Sequence, residues 1–162
     1  MKEIEIITPT YIGKTNKIRH ASRAILIQDG KILIGYGKKE DFYIIPGGGI
    51  EGEESYIDCC RREILEETGI ICEPLDNYLD ISTFFLDMNH IHHFFTCKII
   101  ETNQETHFTA EEIDADMSFS WIEIDKILNI FSEYDKYIET NNAKYLLYKR
   151  EYIAIKEYLD NL

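Results

Sequence analysis

The chain contains no apolar run approaching the roughly 20 residues that a membrane-crossing helix requires, so no membrane association is expected. Its opening segment, MKEIEIITPT, has no long apolar stretch of the secretory type, and a cytoplasmic protein is the expectation. Basic residues are scarce: 17 Lys and Arg stand against 30 Asp and Glu, a formal net charge of −13. Such a surface repels polyanions at long range and disfavours non-specific nucleic-acid binding. It does not exclude small phosphorylated ligands, because an acidic site that gathers divalent cations acquires phosphate affinity from them. The four cysteines form no C-x-x-C pair, which argues against a zinc site or a disulfide framework and for reduced, packed thiols. Repeats, low-complexity segments and linkers are also absent. A chain of 162 residues, 44% hydrophobic and 29% charged, is read as one globular domain, residues 1–162, with a helical extension over about 126–162.

Two β-prone runs in residues 19–34 flank Gln28-Asp29-Gly30, where Asp-Gly signals a hairpin turn. A shorter run from Phe42 to Ile45 is expected to stop at Pro46 and the three glycines after it. Between Gly52 and Gly69 no proline or glycine interrupts a helical periodicity, and Gly69 suits a C-cap. Strand-like runs return at 78–86, 92–100 and 119–124. The last 21 residues read as an amphipathic helix whose apolar side is marked by Leu146, Ile153 and Leu159. Strands on both sides of a central helix, plus a terminal helix, predict an α/β layered domain with a mixed sheet.

On the central helix Glu63, Glu66 and Glu67 are three and four residues apart, hence on one face. Ile57, Cys60 and Ile64 recur at that spacing on the face expected to meet the sheet. Three carboxylates on one face repel, and the arrangement becomes favourable when a small hard cation bridges them. Magnesium suits such oxygen ligands, with manganese an acceptable substitute, and leaves positions for water and phosphate oxygens. Arg62, four residues before Glu66, offsets part of the charge and directs the side chain. The same like-charge repulsion predicts at least one raised carboxylate pKa in the metal-free site.

The stretch from Gly48 to Ile70 resembles the Nudix signature. Gly48, Glu54, Arg62, Glu63, Ile64, Glu66, Glu67, Gly69 and Ile70 fill every specified position without a gap. The flanking hairpin, the Pro-Gly-Gly entry and the later Phe119-Ser120-Trp121-Ile122 also look like the family, over about residues 19–125. The resemblance implies an α/β/α sandwich and hydrolysis of a diphosphate linkage by water attacking phosphorus. It further implies a small nucleotide substrate, a nucleoside diphosphate joined to another group. On this chain Glu66 and Glu67 would be the principal metal ligands. Glu63 would be a ligand or would orient or deprotonate the water. Arg62 would orient the glutamates, Glu54 would be an outer ligand or a structural partner, and the carbonyl of Gly47 or Gly48 would reach the metal. Family members often add a downstream acid; Glu111 and Glu112 suit that role, and Glu112 is preferred. Some subfamilies carry a proline or tyrosine sixteen to eighteen residues past the box. Residues 86–88 have neither, which weakens an ADP-ribose or dinucleoside polyphosphate assignment and leaves a slight preference for a nucleoside triphosphate.

Other candidates are weighed against blander roles. His92 could bind metal with a downstream acid, His93 could contact a phosphate, and Arg23 could contact substrate phosphate or base. The preferred readings are that His90, His92 and His93 are imidazoles on the outer face of a strand and that Arg23 is one of several solvated cations. Phe42, Tyr43, Phe84 and Phe85 read as core aromatics rather than base-stacking groups. Tyrosines 137, 145, 148, 152 and 158 give the tail an aromatic load that suits internal packing, with a homodimer contact as the alternative. A catalytically silent nucleotide-binding module and an RNA-end hydrolase are the competing functions. The complete glutamate set counts against the first and the acidic balance against the second.

Overall fold

The computed structural model describes residues 1–162. The chain runs β1 (Lys2–Ile7), β2 (Lys17–Ile25), β3 (Ile27–Gln28), β4 (Lys31–Gly37), β5 (Phe42–Ile44), β6 (Gly47–Gly49) and α1 (Tyr56–Thr68). It continues through β7 (Ile71–Phe85), β8 (Met88–Glu101), α2 (Ala110–Asp114), β9 (Met117–Glu123), α3 (Ile124–Ser132) and α4 (Asn142–Asp160). Five strands form a mixed sheet in the order β1-β7-β8-β2-β6, and β3, β4, β5 and β9 form a second sheet around β4. No helix is long and apolar enough to cross a membrane.

Period-two alternation explains the layering. Ala24 on β2, Leu33 on β4 and Phe95 on β8 join Cys60 and Ile64 of α1 in one core cluster. Their neighbours Ile25, Ile32, Ile34 and Phe94 enter a second cluster with Ile127 and Phe131 of α3 and Tyr148, Ala154 and Ile155 of α4. Helices therefore cover both sides of the sheet layers, the α/β/α arrangement with a mixed sheet and a C-terminal helix.

The Asp-Gly turn forms as expected, with Asp29 and Gly30 both at positive φ (54° and 74°) and leading from β3 into β4. The hairpin, however, involves only the short β3; at Leu26 the chain has left β2 and changed sheets. Ser55 caps α1 by accepting from the Asp58 amide, and Gly69 ends it in the left-handed conformation at φ 70°. Ile57 departs from the expected inward face: it is 43% exposed, and Cys59 is buried beside Cys60 and Ile64. The glycines after Pro46 also depart from expectation. They resume as β6, antiparallel to β2, with Arg23 opposite Gly47 and Ser22 opposite Gly48. Side-chain volume is the reason. A Cβ on Gly47 would lie 2.1 Å from the Ser22 carbonyl oxygen, so only glycine lets this backbone approach its neighbour.

All four cysteines are free thiols, and the sulfurs of Cys60, Cys72 and Cys97 gather within 4.8 Å of one another in the α1-side core. On α4 the buried residues are Tyr145, Tyr148, Arg150, Glu151, Ala154 and Ile155, whereas Leu146, Ile153 and Leu159 are only half-buried. The helix thus turns a face containing an ion pair inward, because partners for those charges await it at Ile45, just after β5, and on β8. Its tyrosines pack within the chain: Tyr148 meets Phe131 and Tyr137, and Tyr145 meets Tyr134.

Candidate active site

The glycine strand β6 and helix α1 place the acidic residues. Glu67 is 5% exposed and its Oε1 accepts from the Gly47 amide at 2.9 Å. Glu63 lies against Gly48 so closely that a Cβ there would be 2.4 Å from the carboxylate carbon. Both line a cavity of about 370 Å³ shared with Arg23, Gly47, Glu111 and Glu112. Glu66 does not line this cavity; its Oε2 accepts from Arg62 Nη1 at 3.2 Å. Of the three glutamates expected together, the structure brings Glu63 and Glu67 to the cavity with Glu112.

Arg62 directs more than Glu66. Its Nε and Nη2 donate to the two oxygens of Glu54 at 3.0 and 2.6 Å, a bidentate pair, and Nη1 also reaches Glu63 at 2.9 Å. Nη2 further donates to the Gly49 carbonyl at 3.1 Å, which ties α1 to β6. Arg62 holds Glu54 down at a pKa of about 2, well below the ordinary value of 4.5. Glu54 is therefore Arg62's structural partner. Folding gains from this ionised carboxylate above about pH 4.5, and the gain disappears as pH falls through the folded value near 2. Urea midpoints between pH 2 and 5 should show wild type above Glu54→Gln at pH 5 and converging on it toward pH 2. A constant difference across that range would place the stabilisation elsewhere.

Glu63 and Glu67 shift the other way. Burial raises both, opposed for Glu63 by Arg62 and added to by Glu66 and Glu112. For Glu67 the rise is larger, burial leading, then the charges of Glu112 and Glu63, with Arg23 and the Gly47 amide opposing. Desolvation, more than the like-charge repulsion read from the helix spacing, is the leading cause.

Glu112 has a second occupation. Its Oε1 accepts from the Thr109 amide at 2.9 Å, and Thr109 Oγ1 accepts from the Glu112 amide at 3.2 Å, a capping box that starts α2. The polar stretch is thus folded locally, and its helix start aims Glu111 and Glu112 at the cavity.

Arg23 was expected to be solvated and is 7% exposed. Position opposite Gly47 on β2 explains this: the side chain runs beneath the glycine strand, where Nη1 donates to the Ile45 carbonyl at 2.8 Å and Nε to His92 Nδ1 at 3.2 Å. Burial, then the neighbouring Arg150, lowers it to about 10, and it stays charged at neutral pH. The histidines are likewise inside rather than on an outer face. His92 is 1% exposed and lies between Arg23 and Arg150; His93 is 4% exposed, pairs with Asp80 Oδ1 at 2.8 Å and stacks on Tyr56. Phe42 borders the cavity, while Tyr43 packs against the core, Phe84 against Tyr11, and Phe85 borders a second cavity. Sequence reading missed Arg150 and Glu151. A Glu at the centre of the Tyr148, Ala154, Ile155 stripe was the available signal, since a carboxylate at helical core spacing needs a buried partner.

The two cradle glycines give a paired expectation. Gly48→Ala presses on the movable end of Glu63 and should lower kcat by at least about tenfold, roughly 1.4 kcal/mol of barrier, with little change in Tm. Gly47→Ala presses on backbone at φ 147° and should cost about 1–3 kcal/mol of stability. Thermal melts and turnover of both variants check this; equal Tm losses would contradict it.

The sequence model of the NUDIX domain matches residues 18–141, reaching past residue 125, where the resemblance visible by eye ends. Among solved structures, a NUDIX hydrolase from Nitrosomonas europaea superposes with a TM-score of 0.63 at 19% identity, covering 90% of each chain. A MutT NUDIX hydrolase from Burkholderia pseudomallei gives 0.54 at 18% identity, over 68% of this chain and 86% of that one. The mRNA-decapping enzyme subunit 2 of Saccharomyces cerevisiae (strain YJM789) is 41% identical over 54 residues, which are 33% of this chain and only 5% of that protein. The structural likenesses show the fold, and the domain match over residues 18–141 shows the family: this chain belongs to the NUDIX family.

Proposed function

We propose that the chain hydrolyses the diphosphate linkage of a small nucleoside diphosphate derivative with magnesium, manganese substituting, and that residues 1–162 act as one hydrolase domain. The observation that carries this is a pair of glutamates on one cavity, Glu67 buried and Glu63 half-buried, whose raised pKa values mark anionic charge that only Arg23 and Arg62 offset. Carboxylates in that state fit a divalent cation: Glu63, Glu67 and Glu112, with a Gly47 carbonyl, would hold it, and Glu66 would be a further ligand. When bound, such an ion polarises phosphoryl oxygen and lowers the pKa of water.

The chain's own groups do the rest. Arg23 presents a buried guanidinium to substrate phosphate along the glycine strand. Glu63, fixed by Arg62 and seated on Gly48, is placed to orient water and accept its proton. Phe42 and Met117 border the same cavity and help to exclude bulk solvent. Retention of every glutamate supports hydrolysis over silent nucleotide binding, and the charge of −13 supports a small substrate over RNA. Decapping belongs to the yeast relative, and its 54-residue match does not transfer that activity.

A hydrolysis screen over nucleoside triphosphates, ADP-ribose, nucleotide sugars and dinucleoside polyphosphates, with magnesium, manganese or chelator, tests the reading. Metal-dependent release of phosphate-containing products is expected, with nucleoside triphosphates slightly preferred. Turnover that persists in excess chelator would sink the mechanism.

A further inference from the structure

Beneath the candidate active site lies a second cavity of about 360 Å³, between the β7–β8 turn and the first turns of α4. Arg150, His90, Thr10, Phe85, Leu146 and Leu147 are among the residues around it. Arg150 is 6% exposed, and its Nη2 has no hydrogen-bond partner; neither has the buried Nε2 of His90. Two nitrogens with unmet bonds thus border one cavity, one of them on a permanently charged, deeply buried guanidinium. Such groups are costly to leave unmet.

The bonds that are made sharpen the point. Glu151 spends both oxygens, accepting from Arg150 Nε and from the Ile45 amide, each at 2.6 Å. His92 faces a guanidinium at each ring nitrogen, Arg23 Nε at 3.2 Å and Arg150 Nη1 at 3.1 Å. A neutral imidazole accepts at one nitrogen only, and arginine never accepts. One of those two contacts therefore sets donor against donor in either tautomer. Arg23 is shared with Glu67 and Glu63 on the active-site side, but the network made by Arg23, His92, Arg150 and Glu151 has more donors than acceptors. An acceptor with negative charge is the missing partner.

We infer that the second cavity binds an anionic group, phosphate or carboxylate, held by Arg150 Nη2 and His90 Nε2, with the apolar wall of Phe85, Leu146 and Leu147 taking the ligand's carbon skeleton. The group has two possible sources: the far end of the nucleotide substrate, or a free small anion. Shared walls make the first geometrically available. Phe42 borders both the candidate active site and a third cavity of about 270 Å³, and Ala143 and Leu147 border both that third cavity and the second. A substrate reaching along this path rests on the hydrolase reading, whereas binding of a free anion does not.

Two arms test the inference. The first measures Tm in chelator with about 10 mM inorganic phosphate against chloride at equal ionic strength. Wild type should gain about 2–4 °C from phosphate, and His90→Phe should lose that gain. Arg150→Met strands Glu151 and is prone to unfold, so His90→Phe carries the comparison. The second arm compares kcat/KM for substrates that differ only in a distal anion, UDP-glucose with UDP-glucuronate and NADH with NADPH. A preference of about tenfold or more for the anionic member, removed by His90→Phe, assigns the site to the substrate's far end. A phosphate effect without that preference assigns it to a free anion. If phosphate shifts wild type and His90→Phe equally and neither pair is discriminated, the anion site is overturned. Failure to cleave any compound would defeat the hydrolase reading and leave the phosphate arm to decide this one.

Discussion

Glu67→Gln is expected to lower kcat by about a thousandfold or more, roughly 4 kcal/mol of barrier, while the protein stays folded. Glutamine keeps the oxygen that accepts from the Gly47 amide, so the link between α1 and β6 survives and only the charge is lost. Stability should even rise when divalent metal is chelated. The folded pKa of Glu67 is raised, so its contribution favours folding below the ordinary value of 4.5 and is lost as pH rises through the folded value. Burying this carboxylate at neutral pH carries a desolvation cost that glutamine removes. Glu66→Gln has no such effect in prospect, because Glu66 is one-third exposed (33%) and paired with Arg62. Steady-state kinetics with magnesium and melts in chelator decide this. A Glu67→Gln enzyme with native turnover, or one that melts below wild type in chelator, would mean that this carboxylate serves the fold and not the chemistry.

Glu151→Leu is expected to destabilise the protein by about 3–5 kcal/mol, the cost of leaving a buried charge alone. It removes the acceptor of both the Ile45 amide and Arg150 Nε in a place where Glu151 has no exposure at all. Adding Arg150→Met to Glu151→Leu should recover part of the loss, since no charge is then stranded and the leucine and methionine fit an apolar layer. Urea unfolding of the single and double variants measures both. A loss below about 1 kcal/mol in the single variant would show that solvent reaches this pair.

The acid face of α1 was legible because every determinant is local. Ser55, the glutamate spacing and Gly69 lie within fifteen residues, and helical geometry converts spacing to direction. The Asp29-Gly30 turn was readable for the same reason. Residues whose roles depend on distant partners were not. Nothing near Arg23 in the chain shows that Gly47 will lie across it, and nothing near His92 reveals Arg150, 58 positions later. Exposure was misjudged for the histidines because hydropathy scores the side chain alone, while the fold supplies matching polar groups. Leu146, Ile153 and Leu159 misled for the converse reason: they are apolar, yet the face that docks is chosen by the Tyr148 contact to β5 and the Glu151 contact to Ile45 just after it. The three clustered thiols belong to α1, β7 and β8, and no sequence spacing announces them.

The parallel pairings of the five-stranded sheet bear on the order in which this protein acquires its shape. β1 joins β7 with Lys2 opposite Leu79, and β2 joins β8 with Lys17 opposite Met88, so both contacts close loops spanning most of the intervening chain. Hairpins such as β7–β8 form locally and fast, whereas such distant pairings come late and slow folding. The glycine strand is held against β2, and α1 rests on the sheet that these pairings complete. On a ribosome, the first 87 residues, including every acid of α1, emerge before the partner of β2 exists. The acidic helix can meet β2 and β6 early but must wait for Phe95, part of its cover, on a strand made after it.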